Sequence, residues 1–179
     1  MALTVLVDTC TLINLLATGE LEAITGSMGS RFAICSAVLK ETIYLRPENA
    51  GDPPDSINIA PLIRSGVLGV CSLESEEEEL LYIDYASQLD DGEAMSLATA
   101  RRRGFILATD DRKAERLFLE AVGDTARLIS TSDIVRNWPD SGQVSAEKLS
   151  TIVHRIVQRA RFAPSHSDPN IRWWRDASP

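Results

Sequence analysis

The sequence predicts an α/β domain in which helices cover both faces of a mostly parallel sheet, followed by a C-terminal helical extension. Two apolar runs that stop abruptly at carboxylates carry this expectation. Residues 105–108, Phe-Ile-Leu-Ala, read as a buried strand bounded by Gly104 and by Thr109, Asp110 and Asp111. Residues 3–7 form a β-branched, apolar run that ends at Asp8. Strand-like and helix-like segments alternate along the chain between and after them, the pattern of parallel strands joined by crossover helices. In such a sheet ligands bind at the carboxyl ends of the strands. Two strands therefore deliver acids to the edge where chemistry is expected.

In chain order, residues 10–17 place Cys10, Ile13, Leu16 and Ala17 on one helical face, with Thr9 as N-cap and Gly19 as stop. Residues 21–28 read as a second short helix and 31–35 as a brief strand. Ser36 then caps a helix through Val38, Leu39, Glu41, Thr42 and Tyr44 to Arg46, ended by Pro47. Glu41 falls within two turns of that helix start, in reach of the edge that holds Asp8. The acid- and proline-containing stretch 48–55 is an exposed loop. Residues 57–63 return toward the core, and 67–71, VLGVC, are a third strand candidate.

Residues 74–88 form an amphipathic helix with Leu80, Leu81, Ile83 and Ala86 among its apolar positions. Its first-turn acids, Glu76 to Glu79, complement the helix dipole and face water, a simpler account than a metal site. Asp90 and Glu93 have capping-box spacing at the start of the next helix, which passes through Met95, Leu97, Ala98 and Ala100. Arg101 to Arg103 suit its solvated last turn. A helix over 113–121 and a last short strand over 127–130 follow.

The character changes beyond Ile134, which divides the chain into a body of residues 1–134 and a C-terminal segment, 135–179. Residues 137–143 are a Pro/Gly/Ser turn region. Residues 146–162 form an amphipathic basic helix, with Leu149, Ile152, Val153, Ile156 and Val157 apolar and Arg155, Arg159 and Arg161 on other faces. The prolines of 163–179 predict an irregular tail ordered in a complex. No internal repeat is present.

At 179 residues and 44% hydrophobic, the chain is sized for one domain with a real core. Its apolar runs fall well short of the roughly 20 residues of a membrane span, and residues 1–7 lack the basic start and long apolar core of a secretion signal. A soluble cytoplasmic protein with no membrane partner is expected. Cys10, Cys35 and Cys71 form no CxxC or CxxH group, which argues for free thiols over disulfides or zinc. The net charge of −8 argues against a broad basic nucleic-acid face. That charge is uneven, because residues 145–179 carry six basic against three acidic side chains. A divalent cation in an acidic pocket would also reverse the local sign.

Asp8, Glu41, Glu93 and Asp111, with Asp110 and Asp91 beside them, come from four separated segments that one sheet edge can gather. Carboxylates crowded together raise one another's pKa values, and a divalent cation removes the conflict. An oxygen-only donor set selects Mg²⁺ or Mn²⁺. Such ions serve phosphodiester hydrolysis by activating water and stabilising the leaving oxygen.

These stretches, VLVDTCTLINLLATG, SAVLKE, LDDGEAMSLATA and ILATDDRKA, occur in an order that resembles the PIN domains, the metal-dependent nucleases typical of VapC toxins in bacterial and archaeal VapBC toxin–antitoxin pairs. The LDDGEA and TDDR motifs look most like a subgroup outside the best-known toxins. The resemblance covers residues 3–132. It implies a three-layer α/β/α sandwich and endonucleolytic cleavage of RNA that leaves 5′-phosphate and 3′-hydroxyl ends. It also implies Asp8 as central metal ligand, with Glu41, Glu93 and Asp111 completing four acids. Thr109 matches a hydroxyl residue that orients a ligand or water, and Asp110 assists or replaces Asp111. Asp91 is a helix cap first and a ligand second. Arg112, Lys113 and Arg116 are candidates for holding RNA phosphates, with solvation on a helix surface the alternative for each. A homodimer and a cognate antitoxin carrying a basic segment are the implied partners. The long segment after Ser132 departs from the family pattern; a partner-binding or an RNA-clamping arm both fit it.

A phosphatase using Asp8 as nucleophile is a rival reading. The sequence DTCT, however, lacks the second aspartate that haloacid dehalogenases place two positions on. A phosphoreceiver reading lacks paired acids after the first strand and a lysine after the last. The rival of another class is a PIN-like module that binds protein or RNA without cutting.

Overall fold

In the computed structural model, residues 3–41, 43–49, 51–138 and 144–178 are described. The central strand β1 (Thr4–Val7) is flanked by helices α1 (Thr9–Thr18) and α2 (Leu21–Ser27), then by strand β2 (Arg31–Cys35). Strands β3 (Ile43–Leu45) and β4 (Asp55–Ile57) form a separate antiparallel hairpin. Helix α3 (Ala60–Arg64), strand β5 (Gly69–Cys71), and helices α4 (Glu76–Ala86) and α5 (Asp91–Arg103) follow. Strand β6 (Ile106–Ala108), helix α6 (Arg112–Val122), strand β7 (Leu128–Ile129) and helix α7 (Thr131–Asn137) complete the body. Beyond it lie α8 (Ala146–Arg155), continued by a wide turn over Ile156–Ala160, and α9 (Ile171–Ala177).

The main sheet has the order β5-β2-β1-β6-β7, and its strand pairs are parallel. From β1 the chain builds outward through β2 to β5, then crosses back to place β6 on the other side of β1. The direction of winding therefore reverses between β1 and β6, the topological switch point at which open α/β sheets bind ligands.

Side chains alternate across the sheet with period two, which sorts the core into two layers. Val5, Val7, Phe32 and Ile34 pack on one face with Leu12, Leu15, Ile134, Ile152, Val153 and Trp174. Leu6, Ala33, Cys35 and Leu107 pack on the other with Tyr85, Leu97, Ala98 and Phe118. The result is the expected three-layer α/β/α sandwich.

Several local expectations are corrected. The helix expected to carry Glu41 is only a 3₁₀ turn over Val38–Lys40, and Glu41 caps it in extended conformation. Ile43 and Leu45 are buried while Tyr44 points out, so the chain beyond it keeps strand alternation. Thr42, expected in that helix, lies outside the described residues. The acids of α4 do not all face water: Glu78 is 3% exposed and accepts from Arg103 Nε and Nη2 at 2.6 and 2.8 Å. Arg103 in turn is no solvated last-turn residue, since it also donates to the Ser72 carbonyl at 2.6 Å.

The tail is ordered rather than irregular. Trp174 of α9 is 3% exposed and meets Phe162 and Trp173 edge-on, at ring-centroid distances of 5.6 and 6.2 Å. Arg155 and Arg159 fasten α8 to the body through Glu48 and Asp55. Of the turn expected over 137–143, residues 139–143 lie outside the described residues, and Asn137 closes α7. Among the described residues no helix is long and apolar enough to cross a membrane.

Candidate active site

Asp8 follows β1 and caps α1, so one short turn both ends the strand and aims a carboxylate at the switch point. Its Oδ1 accepts from the Thr11 N–H at 2.7 Å, and its Oδ2 from the Thr109 hydroxyl at 2.5 Å. Thr109, at the end of β6, accepts in turn from the Asp111 N–H at 3.1 Å. One buried hydroxyl thus ties together the acids delivered by two adjacent strands. Asp8 is 1% exposed, and burial pushes its pKa up from 3.8 to about 6 against the hydrogen bonds from Thr109 and Thr11, with Asp110 adding to the rise.

Asp111 caps α6, its Oδ1 accepting from the Lys113 and Ala114 N–H groups at 2.8 Å each. Glu93, in the first turn of α5, has a pKa raised from 4.5 to about 7 by burial and by the charges of Asp90, Asp111 and Asp8. Glu93 therefore stands in the fields of Asp90, Asp111 and Asp8, with no basic side chain among the leading influences on Asp8 or Glu93.

Asp110 is held differently. Its Oδ1 accepts from the Thr131 N–H at 2.9 Å, and its Oδ2 from Asn14 Nδ2 at 2.9 Å, from the Thr11 hydroxyl at 3.2 Å and from the Thr131 hydroxyl. Most of its acceptor capacity is used. Asp110 joins α1 to the start of α7, and burial raises its pKa.

Glu41 lies over the start of α5. A Cβ added at Gly92 would come within 2.7 Å of Glu41 Oε1 and 3.2 Å of Thr9 Oγ1, so glycine is what lets Glu41 approach. Partial burial raises the Glu41 pKa; the Thr9 hydroxyl opposes this, and Asp90 and Asp91 add to it. Glu41 thus sits with Asp90 and Asp91, while Asp8, Glu93, Asp110 and Asp111 form the inner group. Asp90, not Asp91, is the cap of α5, accepting from the Glu93 N–H at 2.9 Å. Asp91 accepts instead from the Tyr82 hydroxyl at 2.9 Å.

The three basic candidates diverge. Lys113 reaches the Gln88 carbonyl at 2.5 Å, and Arg116 is 3.8 Å from Glu120. Arg112 makes no ion pair with a described residue and lines the groove leading away from the acids. Sequence reasoning missed Asn14, Thr11 and Thr131 as the residues that hold Asp110, and Asp90 as the acid placed between Glu93 and Glu41. A signal for Asn14 exists: an amide in the apolar helical run LINLL requires a buried partner.

Among the described residues, no three His, Cys, Asp or Glu side chains form a ready ligand shell. The donor chemistry nevertheless fits a hard divalent cation: the inner group is carboxylate and hydroxyl oxygen, and carboxylate lone pairs of Asp8, Glu93 and Asp111 remain after their hydrogen bonds are counted. An α/β/α sandwich with carboxylates gathered at its switch point defines an α/β fold with an acidic edge where ligands bind. The chain belongs to the PIN-domain family, whose model matches residues 4–158. That match runs past the motif region and through α8. Members of this family are generally metal-dependent nucleases. No curated protein matches the chain, and no solved structure does.

Proposed function

We propose that the chain is a divalent-metal-dependent endoribonuclease and the toxin of a toxin–antitoxin pair, acting in the cytoplasm. The observation that carries the reading is the inner group of Asp8, Glu93 and Asp111, in which burial first, and then the charges of Asp90, Asp111 and Asp8, raise the Glu93 pKa to about 7. Membership of the PIN-domain family supports it. Asp8, Glu41, Glu93 and Asp111 are the proposed ligands, with Asp110 beside them. Bound there, Mg²⁺ or Mn²⁺ would supply activation of water and neutralisation of charge at the phosphate.

The chain's own residues prepare that chemistry. Thr109 fixes the Asp8 carboxylate and the Asp111 backbone relative to each other. Burial and the neighbouring acids raise the Glu93 pKa to about 7 in the metal-free edge, and a bound cation would hold its carboxylate ionised as a ligand. Asp110 holds α1 and the start of α7 together at the edge. A cognate antitoxin with a basic segment is the partner this acidic edge would accept, and a homodimer is the proposed assembly.

The first experiment is calorimetric titration of Mn²⁺ into the parent chain, Asp8→Asn and Asp111→Asn, followed by incubation with RNA. Binding by the parent, lost in both variants, together with metal-dependent internal cleavage, is the expected result. Absence of both binding and cleavage would refute the nuclease reading. It would select the non-cutting module that binds protein or RNA.

A further inference from the structure

A groove of about 880 Å³ opens from the acid edge, running from Cys10 and Asp111 past Ile129 to Arg161, Phe162 and Pro164. Its far wall is the C-terminal segment, and that wall is fastened from inside. Ser132 Oγ donates to Asp168 Oδ2 at 3.0 Å. Asn170 Nδ2 donates to Ser132 Oγ at 3.1 Å and to Asp133 Oδ1 at 2.6 Å, and Asn170 is 3% exposed. Ser132 follows Thr131, whose N–H and hydroxyl bind Asp110. The wall and the acid edge therefore hang on the same turn.

Arg161 ends the α8 extension in the left-handed backbone region, φ 60°, the single non-glycine residue to do so among the described residues. Three other helices end in the same conformation, and each uses glycine: Gly19, Gly104 and Gly123. An arginine there carries a steric cost that glycine avoids, which points to a use for its side chain. Its neighbours are committed, Arg155 to Glu48 and the Thr18 carbonyl, Arg159 to Asp55 and the Arg46 carbonyl. Arg161 is exposed, lines the groove and makes no hydrogen bond or ion pair with a described residue. Of the acids along this groove, Asp110, Asp133 and Asp168 are bonded into the structure, and Arg112 lies in the field of Glu115.

We propose that the groove seats an RNA strand on one side of the scissile phosphate and that Arg161 binds a backbone phosphate there. The inference rests on the nuclease reading and adds to it a substrate path and a residue outside the acid edge. A guanidinium without a partner among the described residues, at the far end of a groove that begins at carboxylates, separates the phosphate being cut from a phosphate being held.

The test uses the full chain with a fluorescein-labelled single-stranded RNA. Anisotropy is followed in EDTA, and single-turnover cleavage in Mn²⁺ is measured against protein concentration. Arg161→Gly removes the charge while suiting the left-handed backbone, so a loss of binding is not a loss of folding. Its dissociation constant and half-saturating concentration are expected to rise about tenfold, the order of one charge-assisted contact. The dependence of log Kd on log salt should become shallower by about 0.7. Arg161→Lys should recover most of the loss, and Arg172→Gln, an exposed arginine outside the groove, should leave binding as in the parent. Unchanged binding in Arg161→Gly, or an equal loss in Arg172→Gln, would overturn the inference while cleavage by the parent keeps the nuclease reading. A parent that neither binds nor cuts RNA overturns both.

Discussion

Asp8→Asn should stabilise the metal-free protein at neutral pH, although the proposal makes Asp8 central to activity. Burial raises the Asp8 pKa from 3.8 to about 6, which corresponds to ~3 kcal/mol against the folded state once the group is ionised in both states. Asparagine keeps most of the local structure: its Oδ1 accepts from Thr11, its Nδ2 donates to the Thr109 oxygen, and it is itself a good N-cap. Allowing about 1 kcal/mol for the altered Thr109 bond leaves a gain of ~2 kcal/mol.

The pH dependence has a definite sign. Below 3.8 both states hold the proton and the carboxyl carries no penalty; between 3.8 and about 6 the unfolded chain ionises first, and the parent loses stability as pH rises; above about 6 the penalty is complete. Urea unfolding in EDTA, followed by the fluorescence of buried Trp138 and Trp174, should show the variant about 1 kcal/mol less stable than the parent near pH 3.5, where only the altered Thr109 bond counts, and ~2 kcal/mol more stable at pH 8. Saturating Mn²⁺ should reverse the order, because only the parent gains binding energy, about 2.7 kcal/mol at a hundred times its Kd. A variant less stable than the parent at pH 8 in EDTA, with parallel pH profiles, would refute the reasoning.

Asp110→Asn should destabilise by about 2 kcal/mol in the same assay, since an amide cannot accept all the hydrogen bonds from Thr131, Asn14 and Thr11; a change under about 0.5 kcal/mol would count against its role as a tie. Gly92→Ala should alter stability by no more than about 1 kcal/mol, because the atom it meets is the end of a flexible side chain, yet it should weaken Mn²⁺ binding by moving Glu41; unchanged calorimetry would remove Glu41 from the ligand set. Ile152→Ala, fully inside the core layer that α8 shares with the sheet, should cost about 2–4 kcal/mol, and a smaller loss would mean that α8 packs loosely on the body.

Local chemistry made the acid edge legible. A β-branched run stopping at Asp8 and an apolar run stopping at Thr109 and Asp111 each state their own strand end and helix cap within a few residues. The errors occurred where distant residues decide. Glu41 reads as helical because the Val38, Leu39 and Thr42 spacing fits a helix, whereas pairing of Ile43 with Ile57 sets the chain into a hairpin. Glu78 and Arg103 each have a sufficient explanation in their own helix dipole, and only tertiary packing brings them together as a buried pair. Prolines 164 and 169 read as marks of an irregular tail, yet the chain around them is pinned by Asn170 to Ser132 and Asp133. Asn14 lies 96 residues before Asp110 and 117 before Thr131, a distance over which no local pattern extends.

Among the described strands the central one is made before its partners, and β6, the neighbour that completes its edge, follows about a hundred residues later. A nascent chain displays Asp8 on β1 long before β6 emerges, so during synthesis the carboxylate has neither the Thr109 hydroxyl nor the Asp111 backbone beside it. Any N-terminal fragment ending before Thr109 lacks half of the edge, however well its first strands pair. The order of the strands in the sheet is thus also an order in time: the acid edge can exist only once Thr109, Asp110 and Asp111 have followed Asp8 out of the ribosome.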